Sequence, residues 1–180
     1  MLDFWLGTPG SRERGRPRKL WFQKSEPFDA EVRRRFLTTW ERAAGGECER
    51  WQATPLASLA LVVVLDQFPR NMFRGTARAF SSDPPALAAA RSMIVREFDR
   101  LLSQEERGFA YLPFEHAEDL AAQRRSLALC QTLDAEHIGY AKRHYEIIAR
   151  FGRFPHRNAV LGRESTPEEI EFLKRPGSSF

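Results

Sequence analysis

Three polar–proline pairs in the sequence constrain its fold more than any other feature. Thr54-Pro55, Asp83-Pro84 and Thr166-Pro167 each place a helix-capping residue directly before a proline. A capping side chain accepts a hydrogen bond from a free N–H of the first helical turn, and proline suits that turn because it has no N–H to leave unpaired. The segments that follow have helical character, and no convincing hairpin or βαβ pattern is present. The chain is therefore predicted to be all-α.

Helical segments are predicted over most of the chain. The first runs from Pro27 to Ala44, with apolar residues at helical spacing, and Gly45-Gly46 ends it. The second opens at Pro55, and its apolar run Leu56–Leu65 predicts a buried core helix. That run of about ten residues is too short for the roughly 20 that span a bilayer. We therefore expect no membrane association.

The second half of the chain continues in the same way. Asp83 opens a helix through Leu102, and Ser103 with Glu106 forms a capping box for a short helix that ends near residues 111–113. Apolar spacing predicts helices within 116–133 and 140–151, and Thr166 caps a last helix through Leu173. We predict a single domain over residues 1–180, with about seven to nine antiparallel helices.

Composition and charge indicate which cellular compartment and which binding partners to expect. The net charge of +4 is spread along the chain, and residues 11–19 (SRERGRPRK) are predicted to form an exposed basic loop. Glu13, Gly15 and Pro17 interrupt this stretch, so we do not expect a nucleic-acid partner. Cys48 and Cys130 lack metal-type spacing, and no secretory signal is visible, so we predict a cytoplasmic protein without a disulfide framework.

One short motif occurs twice, as DQFPRNMFRG (66–75) and GRFPHRNAVLGR (152–163). Each contains Phe-Pro followed by Arg-Asn, and in each the proline is expected to end an apolar helix. On one interpretation, the arginines and asparagines tie helix ends into corners. On the other, the two motifs face each other and bind an anion. The candidates are Asp66, Arg70, Asn71, Arg74, Arg150, Arg153, His156, Arg157, Asn158 and Arg163.

Three more ionisable residues complete the candidate ligand-binding set, namely His116, Glu118 and His144. On a helix, His116 and Glu118 would point about 200° apart, so they can share a ligand only if their segment is a turn. Asp66 is also expected to be a buried partner that orients one of the arginines. No H-x-x-x-H or E-x-x-H pair is present, and we expect neither a metal ion nor another cofactor.

Four segments together resemble the bacterial domain-of-unknown-function 924 family. They are LDFWLG, LALVVVLDQFPRNMFRG, YLPFEHAEDLAAQ and HYEIIARFGRFPHRNAVLGRESTPEEIEFL, in the family's order and spanning Leu2–Leu173. The resemblance implies a tetratricopeptide-like all-helical fold and leaves the function open, because the family's role is not established. The family's His-Ser-Glu motif is His116-Ala117-Glu118 in this chain. The change counts against a mechanism with a serine nucleophile.

These observations favour a binding module with an Arg/His-rich pocket for an anionic small molecule or an acidic peptide. The first alternative is a protein–protein interaction scaffold of the tetratricopeptide-like type. The second is a metal-independent enzyme that acts on a phosphorylated or carboxylate substrate. The sequence contains no glycine-rich phosphate loop, nucleophile elbow or zinc signature, so we identify no catalytic residue.

Overall fold

A computed structural model describes residues 1–16, 18–21 and 23–179. Within these residues the chain is an all-α single domain with eight α-helices and no strand, as predicted. The tetratricopeptide-like arrangement and the domain bounds 1–180 stay predictions. The helices are α1 (Leu2–Leu6), α2 (Glu26–Ala44), α3 (Pro55–Met72), α4 (Asp83–Val95), α5 (Gln104–His116), α6 (Leu120–Cys130), α7 (Ala135–Phe151) and α8 (Pro167–Leu173).

The described residues separate into two compact units. Unit 1 comprises Met1–Arg74 and Arg78–Pro113, and unit 2 comprises Gly75–Ala77 and Phe114–Phe180. In unit 1, α3 packs against both α2 and α4. Helix α3 is buried around most of its circumference, as its continuous apolar run predicts. In unit 2, α6 packs against α7.

An apolar cluster lies in the core of unit 2. Ile147 and Ile148 of α7 pack with Phe154, and all three side chains are buried. Phe151 and Phe172 pack against this cluster while remaining partly exposed. Buried polar side chains also lie in unit 2, among them His144, Arg157 and Asn158 of the candidate set.

Two prolines lie inside helices, where the sequence predicted helix ends. Helix α3 continues through Pro69 to Met72, and α5 continues through Pro113 to His116. A proline inside a helix leaves the carbonyl four residues earlier without its N–H donor. In α3 that carbonyl belongs to Leu65, and the buried hydroxyl of Ser82 donates to it at 2.6 Å. A side chain from outside the helix thus replaces the missing donor.

The predicted caps are mostly confirmed. The Thr54 hydroxyl accepts from Ala57 N–H, and the capping box of Thr166 with Glu169 is complete. Asp83 is not the cap of α4 but its first residue, because Ser82 occupies the N-cap and the Asp83 carboxylate binds an arginine instead.

Three other boundaries differ from the prediction. Helix α4 ends at Val95 and not at Leu102, because Glu97 has a left-handed φ of 56° and a short 3₁₀ segment, Phe98–Leu101, follows it. Within 116–133, α6 spans only Leu120–Cys130, since Asp119 caps it and the segment before Asp119 is not helical after His116. Helix α7 begins at Ala135, five residues before the predicted start, because Asp134 caps it by accepting from two backbone N–H groups.

Residues 11–19 form no helix until Lys19, and Pro17 among them lies outside the described residues. Two of their arginines contact the body of unit 1. Arg14 donates to Gly7 O and pairs with Glu106, and Arg18 donates to the backbone oxygen of Trp5. Across the described chain, no helix combines the length and the apolarity that a bilayer crossing requires.

Candidate functional site

The arginine of the first motif joins α3 to α4. Asp66 is fully buried, and its Oδ1 lies 3.4 Å from Arg70 Nη1, which confirms the predicted pairing of Asp66 with an arginine. The Arg70 guanidinium also makes two hydrogen bonds to Asp83, at 2.8 and 3.1 Å. Burial opposes the charge on Arg70, but the two carboxylates outweigh it and raise the pKa of Arg70.

Asn71 and Arg74 of the same motif hold one carboxylate of α2. Asn71 Nδ2 donates to Asp29 Oδ1 at 2.8 Å, and Arg74 donates to both oxygens of Asp29 at 2.9 and 3.0 Å. In unit 1 the first motif therefore links helices. A ligand-binding role for its four candidates, and their convergence with the second motif, stay predictions.

The second motif binds two carboxylates in unit 2, those of Glu169 and Glu118. Arg153 makes two hydrogen bonds to Glu169, at 2.7 and 2.8 Å, and Asn158 Nδ2 donates to the same carboxylate at 3.3 Å. The Arg153 side chain, with the Thr166 N–H and Asn158, lowers the pKa of Glu169 to about 2, although burial opposes this. Nearby, Arg150 donates to Glu168 at 2.9 and 2.7 Å.

Glu118 is the other carboxylate of this arrangement. It accepts two hydrogen bonds from Arg163, at 2.6 and 2.8 Å, and one from Phe154 N–H at 2.7 Å. Burial alone would raise the pKa of Glu118, but these hydrogen bonds lower it below its usual value. Arg163 also donates to Asn158 Oδ1 at 3.0 Å. The turn that follows α5 is thus tied to the segment that follows α7.

The remaining four candidates lie close together near the buried ring of Phe154, and we call them the histidine cluster: His116, His144, His156 and Arg157. The ring centroids of His116 and His144 lie 6.1 Å apart, and that of Phe154 lies 5.7 Å from His144 and 5.6 Å from His156. The Arg157 guanidinium carbon lies 4.4 Å from the Phe154 centroid. Arg157 and His144 are buried, whereas His116 and His156 are half-buried.

His144 is neutral at physiological pH. Its Nδ1 donates to Tyr140 O at 2.9 Å, because a carbonyl oxygen can only accept. The pKa of His144 is lowered to about 3, mainly by burial; His116, Arg157 and His156 also lower it, and the hydrogen bond to Tyr140 O opposes them. A group with such a low pKa does not carry protons near neutral pH.

Two buried side chains hold the turn that carries His116. Gln123 Nε2 donates to Glu115 O at 2.6 Å and to Ala117 O at 2.9 Å, and Arg157 Nη1 donates to His116 O at 3.0 Å. These carbonyls lie at the C-terminal end of α5, where no further helical N–H is available. His116 is the last residue of α5 and Glu118 lies in the non-helical segment after it, so the helical geometry that would separate them does not apply, and a shared site stays a prediction.

Sequence reasoning missed two buried polar residues next to the cluster. Glu115 Oε2 lies 3.5 Å from His144 Nδ1, and Glu115 Oε1 accepts from the Cys130 thiol at 3.5 Å. Gln123 is completely buried. The amphipathic pattern of α6 could have identified Gln123 as a polar residue on the buried face, whereas no local signal identifies Glu115. Among the described residues, no three His, Cys, Asp or Glu side chains are grouped so as to hold a metal ion.

Comparisons with other proteins give a family but no activity. The chain matches the family described as bacterial protein of unknown function (DUF924) over residues 1–177. It is also similar to a solved structure, the protein of unknown function ATU0120 from Agrobacterium tumefaciens, with a TM-score of 0.83 and 47% identity over 86% of this chain and 88% of that one. A comparison with curated proteins finds no match. The chain therefore belongs to the DUF924 family.

Proposed function

We propose that the protein is a binding module for a small anion and that the histidine cluster of unit 2 is its site. The observation that carries the proposal is the grouping of His144, His156 and the Arg157 guanidinium around the buried Phe154 ring, with His116 next to His144. The charge of Arg157 contributes to the low pKa of His144, because it disfavours a charged imidazole. The same field that disfavours a charged imidazole favours a bound anion.

Three other arginines near the cluster hold carboxylates of unit 2 and are not part of the proposed site. Arg153 and Arg163 each make two hydrogen bonds to a single carboxylate, and Arg150 makes two to one oxygen of Glu168. An ion pair of this kind cancels most of the potential at a distance. The proposed site is therefore smaller than the thirteen residues that the sequence suggested, and is limited to the histidine cluster.

The proposed ligand class is a phosphate or carboxylate group. A guanidinium presents its donors in one plane and matches two oxygens of such a group. The half-buried imidazoles of His116 and His156 lie at the solvent side of the cluster and supply further ring nitrogens. This arrangement favours a ligand that inserts one anionic group and leaves the rest of its structure outside.

A thermal-shift experiment tests the proposal with inorganic phosphate, glucose 6-phosphate and citrate, each compared with sodium chloride at equal ionic strength. A ligand present at a hundred times its Kd stabilises the folded state by about 2.7 kcal/mol, which corresponds to about 5–10 °C in a protein of this size. We expect at least one of the three anions to raise the melting temperature by this order.

The informative variant is His156→Gln, because Arg157 is buried and holds the backbone at His116, so its removal would disturb the fold. His156→Gln is expected to abolish most of the shift. Arg124→Gln, at an exposed position of α6 in the same unit, is expected to keep it. The proposal is wrong if none of the three anions raises the melting temperature, or if His156→Gln responds like Arg124→Gln.

A further inference from the structure

We propose a second site, on the surface of α7 and α8, that binds an acidic peptide segment with one bulky apolar side chain. The site is a groove of about 260 Å³ in unit 2. Its lining consists of Ile147, Phe151 and Phe172, which we call the floor, and of the exposed residues Arg143, Glu146, Arg150 and Gly177, which we call the rim. It is distinct from the histidine cluster, because no residue of that cluster lines it.

The floor of the groove is aromatic and partly open to solvent. The ring centroids of Phe151 and Phe172 lie 5.0 Å apart, and both side chains are only half-buried. Ile147 beneath them belongs to the buried core of unit 2. The core therefore fixes the position of the floor, while its outer surface can still bury part of a partner's side chain.

The rim carries two arginines and the carboxylate of Glu146, and Arg143 is the charge that an acidic partner would meet. The Arg143 side chain is exposed, its guanidinium carbon lies 4.4 Å from the Tyr140 ring centroid, and it forms no ion pair among the described residues. Arg150, by contrast, pairs with Glu168, and Glu146 lies close to Lys142. Stacking on Tyr140 restricts the Arg143 side chain, so less rotamer entropy is lost when a carboxylate binds.

The dimensions of the groove favour a peptide over an enclosed small molecule. Pockets for drug-sized ligands have volumes of roughly 300–1,000 Å³ and bury most of the ligand. A shallow groove of about 260 Å³ instead accommodates one or two side chains. A peptide can place one apolar side chain in the groove as an anchor and continue along the surface of α7, where ion pairs provide the remaining contacts.

The spacing on α7 specifies the peptide more closely. Arg143 and Phe151 are eight residues apart, which is about 12 Å along a helix axis. An extended chain covers about 3.3–3.6 Å per residue, so a carboxylate three or four residues from the apolar anchor reaches Arg143 when the anchor lies on Phe151 and Phe172. The partner is therefore a short extended segment with this pattern.

Fluorescence anisotropy with end-blocked, labelled peptides tests this inference. The probe is Glu-Glu-Ser-Ser-Phe-Leu, and its controls are Lys-Lys-Ser-Ser-Phe-Leu and Glu-Glu-Ser-Ser-Ser-Ser. We expect the probe to bind in the micromolar to millimolar range, and each control to bind about tenfold more weakly, because one loses the charge match and the other the anchor.

The matched protein variants are Arg143→Glu and Arg124→Glu, which reverse an exposed arginine on α7 and on α6, respectively. We expect Arg143→Glu to weaken probe binding about tenfold and Arg124→Glu to leave it unchanged. Failure of the probe to bind at millimolar concentration, equal binding of all three peptides, or an equal effect of the two variants would each overturn the inference. None of these outcomes bears on the anion site, which is tested with His156→Gln and inorganic ions.

Discussion

The hydroxyl of Ser82 links three helices of unit 1, and its removal is the sharpest test of how the first motif folds. Trp40 Nε1 of α2 donates to Ser82 Oγ at 2.9 Å, and Ser82 Oγ donates to Leu65 O of α3 at 2.6 Å. Ser82 itself is the N-cap residue of α4. The Leu65 carbonyl needs this donor because residue 69 is a proline. We predict that Ser82→Ala destabilises the protein strongly.

The size of the effect follows from the burial of the three groups. Ser82 is 1% exposed and Trp40 is 5% exposed, so water does not readily replace the lost partner. Ser82→Ala leaves one buried donor and one buried acceptor unsatisfied, and each such group costs about 1–3 kcal/mol. The expected loss is about 2–6 kcal/mol, a large part of the roughly 5–15 kcal/mol by which a whole domain is stable.

Urea unfolding, followed by tryptophan fluorescence, measures this loss against a neighbouring control. Ser81 is exposed, and its hydroxyl donates to Arg78 O at 2.8 Å. Ser81→Ala removes the same atom from the adjacent residue and is expected to change the free energy of unfolding by no more than about 0.5 kcal/mol.

A double-mutant cycle with Pro69→Ala isolates the role of the proline. In that variant the alanine N–H donates to Leu65 O, so Ser82→Ala then leaves only the Trp40 donor unsatisfied. The cost of Ser82→Ala should fall by about 1–3 kcal/mol in the Pro69→Ala background. An equal cost in both backgrounds, or a cost of Ser82→Ala as small as that of Ser81→Ala, would refute the explanation of Pro69 given above.

Two further predictions concern the ionisable groups of unit 2. The pKa of Glu169 is about 2 in the folded protein, below its ordinary value of 4.5, so its stabilising contribution is present above about pH 4.5 and is lost as the pH falls towards 2. Urea unfolding at several pH values should show a shallower acid dependence for Glu169→Gln than for the wild type, and equal slopes would contradict this. Burial, followed by Glu115, raises the pKa of the Cys130 thiol to about 12, which leaves on the order of 10⁻⁴ of it as thiolate at pH 8. A disulfide reagent followed by peptide mapping should label Cys130 only in urea, and rapid labelling in native buffer would show that the thiol is accessible.

Features that depend on neighbouring residues were predictable from the sequence. The caps at Thr54 and Thr166 join residues three apart, and the Asp66–Arg70 pair joins residues four apart. The turn at His116 was also foreseen as the condition for a shared site. Such contacts form within one helical turn or one loop, so their partners are specified by sequence spacing alone.

Features that depend on distant residues were not predictable. Proline 69 was expected to end its helix, because its compensating donor is Ser82, 13 residues further along the chain, in another helix. The carboxylate that binds Arg163 belongs to Glu118, 45 residues away in sequence. A sequence pattern shows that an arginine needs an acceptor but does not show which carboxylate tertiary packing will supply.

The repeated motif shows the same distinction within a few residues. The residues that the two copies share adopt different backbone conformations. Pro69 lies inside α3, whereas Pro155 is the first residue of a short 3₁₀ turn. That turn follows Gly152, which ends α7 in the left-handed conformation with φ of 70°. The repetition is therefore not evidence for a duplicated structural unit.

The chemistry of the two motifs is nevertheless the same. In the first, Asn71 and Arg74 hold the carboxylate of Asp29, and in the second, Asn158 and an arginine hold that of Glu169. The arginines of both motifs thus bind carboxylates of the protein's own side chains. An anionic ligand at Arg74, Arg153 or Arg163 would have to displace a carboxylate that accepts two hydrogen bonds. This is the physical reason for testing the exposed Arg143, which forms no ion pair among the described residues, before those three arginines.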